Sequence, residues 1–257
     1  MQYFSSSRGG RTEGIVLRSR PLGEADLIVE YLTRDFGIQS AFAKSPRKIK
    51  SRFGGSLEPF THARITLLGK EDARLPRLTQ SDIIRPFQTL REDLKCFLLL
   101  SELAELTLKL LPERVPEGEA FGLMLWALEL LDSKTGCAQP FVPLVFKARL
   151  LSIAGYGPAL KACVKCGRET RRYYPLEGAL ICDACKKSAG FVELPPALIK
   201  LYNDLTSWPL ERVDRIKPSQ RLLLELKNFI EAHIKDGISV WTRTSRFRSN
   251  PSLNPSP

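Results

Sequence analysis

Four cysteines, Cys163, Cys166, Cys182 and Cys185, form two CxxC pairs separated by the fifteen residues Gly167 to Ile181. Each pair can wrap one edge of a tetrahedron, and the insert is long enough for a short hairpin that returns the second pair to the same ion, so the spacing predicts one zinc ion. Gly167, directly after the first knuckle, suits the tight turn such a site needs. Four thiolates leave no open coordination position for water, so the expected role is structural. The competing reading is unrelated thiols or two disulfides, which this spacing disfavours. Cys96, in an apolar helical run, and Cys137 are assigned no chemistry.

A second group of residues could act on phosphates. The segment Lys44-Ser-Pro-Arg47-Lys48-Ile-Lys50-Ser-Arg52 carries five basic residues and no acid in nine positions, and the whole chain of 257 residues has a formal charge of +11. Such a segment repels itself and is expected as an exposed loop that follows a sugar-phosphate backbone, with Arg18 and Arg20 extending the same surface. A polyanionic partner is expected from the charge, although charge alone does not separate nucleic acid from an acidic protein. The alternative for the loop is a solvated charge run. Phe53 is either a base-stacking ring or, beside Gly54-Gly55, a plug in the core. Nothing here reads a base edge, so weak sequence preference and strong salt dependence are expected.

No catalytic constellation emerges. The chain has two histidines, His62 and His233, both expected as ordinary surface or helix-terminal residues, and it has no GxxxxGK[ST], HExxH or GxSxG motif. The acid pairs Glu71-Asp72 and Glu92-Asp93 fit a turn and a helix's first turn. A metal-dependent nuclease would need a convergent carboxylate cluster that the sequence does not supply.

The elements that must position these residues follow from periodicity. Short β-type runs, Gly14 to Ser19, Asp26 to Thr33, Ile38 to Ala43, Phe60 to Leu68 and Leu75 to Ile84, are punctuated by glycines and predict a small five-stranded barrel, OB-fold or SH3-like, over residues 1–87. After Pro86 the period becomes helical: Leu90 to Leu111, Glu119 to Asp132, Pro143 to Ala154, Pro196 to Trp208, and Ser219 to Ile234 closed by Gly237. The expected organisation is an α+β multidomain chain: the barrel, a helical domain over 88–160 and 193–238, a zinc module over 161–192 inserted in it, and a disordered basic tail over 239–257 with Arg243, Arg246 and Arg248. No apolar run is long enough to span a bilayer and the start lacks an apolar secretory core, so a cytoplasmic location is expected.

Two stretches carry a resemblance: Gly14-Ile-Val-Leu-Arg18-Ser-Arg20 through Lys44 to Phe60, and Phe146-Lys147-Ala-Arg149-Leu-Leu-Ser-Ile-Ala-Gly155-Tyr156-Gly157-Pro158 leading into Cys163. With the order barrel, basic loop, helices and four cysteines, the chain resembles the bacterial RecO family of recombinational repair proteins up to about Ile238. The resemblance implies an N-terminal OB-fold that binds single- and double-stranded DNA, annealing of complementary strands, and loading of RecA with RecR onto strands coated by the single-strand binding protein SSB, without bond making or breaking. It maps DNA contacts to Lys44, Arg47, Lys48, Lys50 and Arg52, and the acidic, Phe-ending SSB tail to the helical domain, where Phe146, Lys147 and Arg149 are the expected contacts. The alternative is that Phe146 and Leu150, four apart, face the core. Ser45-Pro46 stands where related sequences often have glycine. It also implies a nucleoid-associated protein. The competing class is a zinc-containing adaptor for RNA or protein without annealing activity.

Overall fold

The computed structural model describes residues 10–46, 53–69, 75–133, 140–213 and 215–248, with the backbone alone for 237–248. The chain divides into two compact units, Met1–Phe146 and Lys147–Pro257, and the boundary falls inside a helix.

In the first unit, alternating apolar residues and turn glycines produce β1 (Gly10–Leu22), β2 (Asp26–Thr33), β3 (Gly37–Ala43), β4 (His62–Leu68) and β5 (Arg77–Arg85). They close into a barrel in the order β1-β2-β3-β5-β4, with β4 returning to β1, the strand order of an OB-fold rather than a simple meander. Four seams are antiparallel and hold six to eight registered pairs each. The fifth, β3 beside β5, is parallel and registers only Phe42 with Arg77, supported by Phe42 N–H donating to the Pro76 carbonyl at 2.8 Å. Val16, Val29, Tyr31, Ala41, Ile65, Leu67 and Leu78 fill the interior, and Phe53 and Leu57, the latter in a short 3₁₀ turn (Gly54–Leu57), plug it. Phe53, 3% exposed, is thus core and not a stacking platform.

A bulge between Val16 and Arg18 breaks the two-residue alternation of β1, so Ile15, Val16 and Leu17 are buried in succession. The outward-facing part of this apolar surface is covered by helices. After α1 (Gln88–Glu92), α2 (Leu94–Leu110) packs on β1, and α3 (Gly118–Ser133) packs on β1 and β2. Asp93 caps α2 by accepting from the N–H groups of Lys95 and Cys96 at 2.8 and 3.1 Å. The first three helices therefore belong with the barrel as a packing unit. The α2–α3 connection also seals the barrel: Arg114 N–H donates to the Ile38 carbonyl at 3.0 Å, and a Cβ on Gly37 (φ +66°) would lie 1.9 Å from the Val115 oxygen.

In α4 (Phe141–Ile153), Val142, Val145, Phe146, Leu150 and Leu151 are all buried. The helix ends as its sequence predicts. Gly155, at φ +77°, lets its own N–H reach the Ser152 carbonyl and the Tyr156 N–H reach the Leu151 carbonyl, a Schellman closure. The second unit then adds a three-stranded sheet, β6 (Arg172–Tyr174), β7 (Ala179–Leu180) and β8 (Val192–Glu193) in the order β7-β6-β8, followed by α5 (Pro196–Ser207), α6 (Leu210–Val213) and α7 (Gln220–Arg248).

The last helix corrects the expected stop at Gly237 and the expected disorder from residue 239. α7 continues through Gly237 to Arg248. A glycine inside a helix costs only about 1 kcal/mol, and no proline follows Gly237 before residue 248 to end the helical run. Residues 249–257 of the expected tail lie outside the described residues. No helix among the described residues is long and apolar enough to cross a membrane.

Candidate metal centre and nucleic-acid interface

The hairpin β6–β7 brings the two CxxC knuckles together. Tyr173 pairs with Leu180 and Tyr174 with Ala179 across a tight turn, so Cys182 emerges beside Cys163. The Sγ atoms of Cys163, Cys166, Cys182 and Cys185 all lie within 4.8 Å of one another, and those of Cys166 and Cys182 are 3.5 Å apart. A tetrahedral ion with bonds of about 2.3 Å needs sulfur separations of about 3.8 Å, so the quartet fits a single metal. Each knuckle is folded by its own backbone. Gly167 N–H donates to the Cys163 carbonyl at 2.8 Å with Gly167 at φ +73°, and Cys185 and Lys186 N–H groups donate to the Cys182 carbonyl at 3.1 and 3.0 Å.

The electrostatics also call for a cation. The backbone N–H of Cys182 points at the Cys163 sulfur at 3.3 Å and draws that thiol down to about 6, while contacts to Cys166 and then Cys182 push the Cys185 thiol up to about 12. Sulfurs this close cannot all become thiolates without a positive charge between them. Cys163 and Cys182 are buried with Tyr174 and Ile181, and Cys166 is exposed. The group can hold a metal ion, and its closed tetrahedron leaves no position for substrate.

The hairpin is braced from one side by His233 of α7. Its Nε2–H donates to the Tyr156 carbonyl and its Nδ1 accepts from the Tyr173 hydroxyl, both at 2.7 Å, while the ring stacks on Phe229 at 6.4 Å between centroids. His62, in the barrel, is also buried: Nε2 lies 3.2 Å from Glu13 and the ring meets the Phe121 ring edge-on. Burial lowers its pKa, against the opposing pull of Glu13. Neither histidine is the surface or helix-terminal residue expected. Their partners lie 49 to 77 positions away, so no local pattern could reveal them.

The basic face is partly charge-compensated. On β1, Arg18 Nε and Arg20 Nη2 lie 2.5 and 3.1 Å from the two oxygens of Glu30, a nearly buried carboxylate on β2. Both guanidinium groups remain about half exposed, and the bond to Glu30 raises the Arg18 pKa further. Glu30 was invisible as a partner from sequence, although the β1–β2 register places Arg18 directly opposite it. Lys44 is exposed at the exit of β3. Ser45 has φ +56°, the left-handed conformation that a glycine takes freely, and its N–H donates to Asp26 at 2.7 Å. Asp26 therefore holds residue 45 in this conformation without a glycine. Arg47, Lys48, Lys50 and Arg52 lie outside the described residues.

In α4, Phe146 has no exposed surface and Lys147 is 7% exposed, so as placed neither offers a face to a docking peptide. Arg149 is half-buried. Its Nε donates to the Leu205 carbonyl at 2.8 Å and its Nη2 to that of Trp208, a residue that is 39% exposed.

A family model for the N-terminal domain of recombination protein O matches residues 9–87, and one for its C-terminal domain matches residues 91–246. The chain is 42% identical over 231 residues to the DNA repair protein RecO of Thermodesulfovibrio yellowstonii, covering 87% of this chain and 91% of that relative. It is 31% identical over 229 residues to RecO of Symbiobacterium thermophilum, covering 86% and 89%. With RecO of Dehalococcoides mccartyi the identity is 30% over 230 residues, covering 88% and 89%. Two family models that together span most of the chain, and relatives at 30% identity or more over most of both chains, show that the chain belongs to the RecO family.

Proposed function

We propose that this protein is a DNA repair and recombination mediator that binds single- and double-stranded DNA, anneals complementary strands and, with RecR, helps load RecA onto SSB-coated DNA. It works without making or breaking covalent bonds, in the cytoplasm on the nucleoid. The observation that carries the reading is an OB barrel whose strand β3 exits at the exposed Lys44 into a sequence segment with four more basic residues, and whose strand β1 carries the half-exposed guanidinium groups of Arg18 and Arg20. Lys44, Arg47, Lys48, Lys50 and Arg52 follow one backbone there, and Arg18 and Arg20 extend the track.

Annealing on such a surface is charge neutralisation. Two strands repel each other at close range, and a shared cationic surface releases their counterions and raises the rate of encounter, while base pairing supplies specificity. The four cysteines hold one zinc ion that fixes the hairpin, and metal chemistry enters no step. The acidic, Phe-ending SSB tail meets Arg149 beside the exposed Trp208, with Phe146 and Lys147 supporting α4 from within.

Fluorescence anisotropy with labelled oligonucleotides over a salt series tests the reading. Affinity should fall steeply with salt, and the variant Lys44→Ala, Arg47→Ala, Lys48→Ala, Arg52→Ala should lose most of it. Unchanged affinity in that variant refutes the loop assignment. Stronger binding to structured RNA than to DNA would favour the adaptor class, and metal-dependent cleavage would make the protein a nuclease. Zinc is tested by metal analysis of the purified chain and of Cys182→Ser, which should lose the ion and stability before it loses DNA contacts.

A further inference from the structure

Between β8, the start of α5 and one face of α7 lies a cleft of about 320 Å³, within the second unit and separate from the thiol centre. Val192, Leu194, Leu198 and Phe229 form its apolar walls. The polar atoms of its floor are already engaged, because Tyr173 and His233 bond to each other. Recognition there must come from shape and from the rim, where Glu193, Glu225 and Asp236 are the charged groups and no Lys or Arg contributes to the lining.

Three acids and no Lys or Arg thus line this cleft on a chain of net charge +11. Glu193 pairs with Arg171 at 2.6 Å and Glu225 with Arg221 at 3.0 Å, but these arginines are 51% and 90% exposed, so both pairs are solvent-screened and exchange with an incoming cation. The cleft also borders an open sheet edge. β8 pairs with β6 on one side, and among the described residues no strand lies on its other side; Val192 of β8, 51% exposed, lines the cleft. An extended peptide can add to such an edge while placing alternate side chains into an adjoining pocket.

We infer that this cleft is a docking site for an extended segment of a partner protein, one bulky apolar side chain seated among Val192, Leu198 and Phe229 and flanked by Lys or Arg that meet Glu193 and Glu225. The choice of a basic segment rests on charge complementarity. It also separates this surface from the Arg149 region, which suits an acidic peptide.

The test uses the full chain, loaded with its metal, in calorimetric titrations with two amidated hexapeptides that share a Leu-Phe centre, one flanked by Lys and Arg and the other by Asp and Glu. Ala232→Trp, at an exposed α7 position facing the cleft, fills the pocket without touching the core. A second variant, Glu193→Lys with Glu225→Lys, reverses the rim. Circular dichroism and metal content matching the parent establish that both fold. The expected result is one-to-one binding of the basic peptide, weakened at least tenfold by either variant. Binding of the basic peptide that neither variant alters, no binding of it to the parent, or acidic-peptide binding that Ala232→Trp abolishes would each overturn the assignment.

Discussion

The brace between the metal hairpin and the last helix should behave as one cooperative unit, and a double-mutant cycle on Tyr173 and His233 measures it. Tyr173 is 3% and His233 9% exposed, and each ring nitrogen of His233 has one partner at 2.7 Å. Tyr173→Phe removes the hydroxyl and leaves the histidine Nδ1 buried without a donor, a loss of about 2 kcal/mol when one lost hydrogen bond is combined with one unsatisfied buried group. His233→Phe keeps the stacking on Phe229 but strands the Tyr173 hydroxyl and removes the donor to the Tyr156 carbonyl, and two lost bonds with one unsatisfied group come to about 3 kcal/mol. With both changes the two bonds are gone and neither side chain is left stranded, so the double variant should cost about 2 kcal/mol, not 5, a coupling of about 3 kcal/mol. Urea unfolding of metal-loaded protein at 25 °C, followed by circular dichroism, gives the four stabilities. Additivity within about 0.5 kcal/mol would show that the two side chains contribute independently and that the brace is not a unit.

Three further outcomes are expected. Glu30→Gln removes the carboxylate beneath Arg18 and Arg20, so the slope of log K against log salt for single-stranded DNA should steepen by about 0.7; an unchanged or shallower slope would remove these arginines from the DNA track. Ser45→Gly should raise stability by about 0.5 to 1 kcal/mol by relieving a left-handed serine, provided the bond from residue 45 N–H to Asp26 is kept, and a loss in thermal melts would contradict it. Burial holds the His62 pKa below its ordinary value, so the unfolded chain takes up the proton first. Stability carried by neutral His62 is present above about pH 6.5 and declines as pH falls toward the lower folded value, and His62→Gln should flatten that decline in urea midpoints measured across the window.

Much of the barrel is legible in the chain because its strands alternate and its turns are marked by glycine. β2 begins and ends where periodicity places it, whereas β1 starts four residues earlier, at Gly10, because pairing of Gly10 through Glu13 with β4 recruits a polar stretch that has no alternation of its own. The thiol quartet is legible because ligand spacing is a local property. Phe146 is the opposite case. α4 carries apolar residues all round, with even Lys147 buried, so its sequence holds no face signal from which an open or a buried position could be chosen. Glu30, Glu13 and the partners of both histidines come from register and packing between distant segments, which single-sequence periodicity does not encode.

The single registered pair joining β3 to β5 gives the barrel a preferred place to breathe. The amide of Phe42 holds that seam to Pro76, and the strand runs from there within two residues into the basic connection at Lys44. Amide hydrogen exchange at Phe42 should therefore proceed through small openings of the β3–β5 edge, while the antiparallel seams exchange only with unfolding. A strand of DNA laid along the connection would hold that edge shut, which makes nucleic-acid occupancy visible as slowed exchange in the barrel wall.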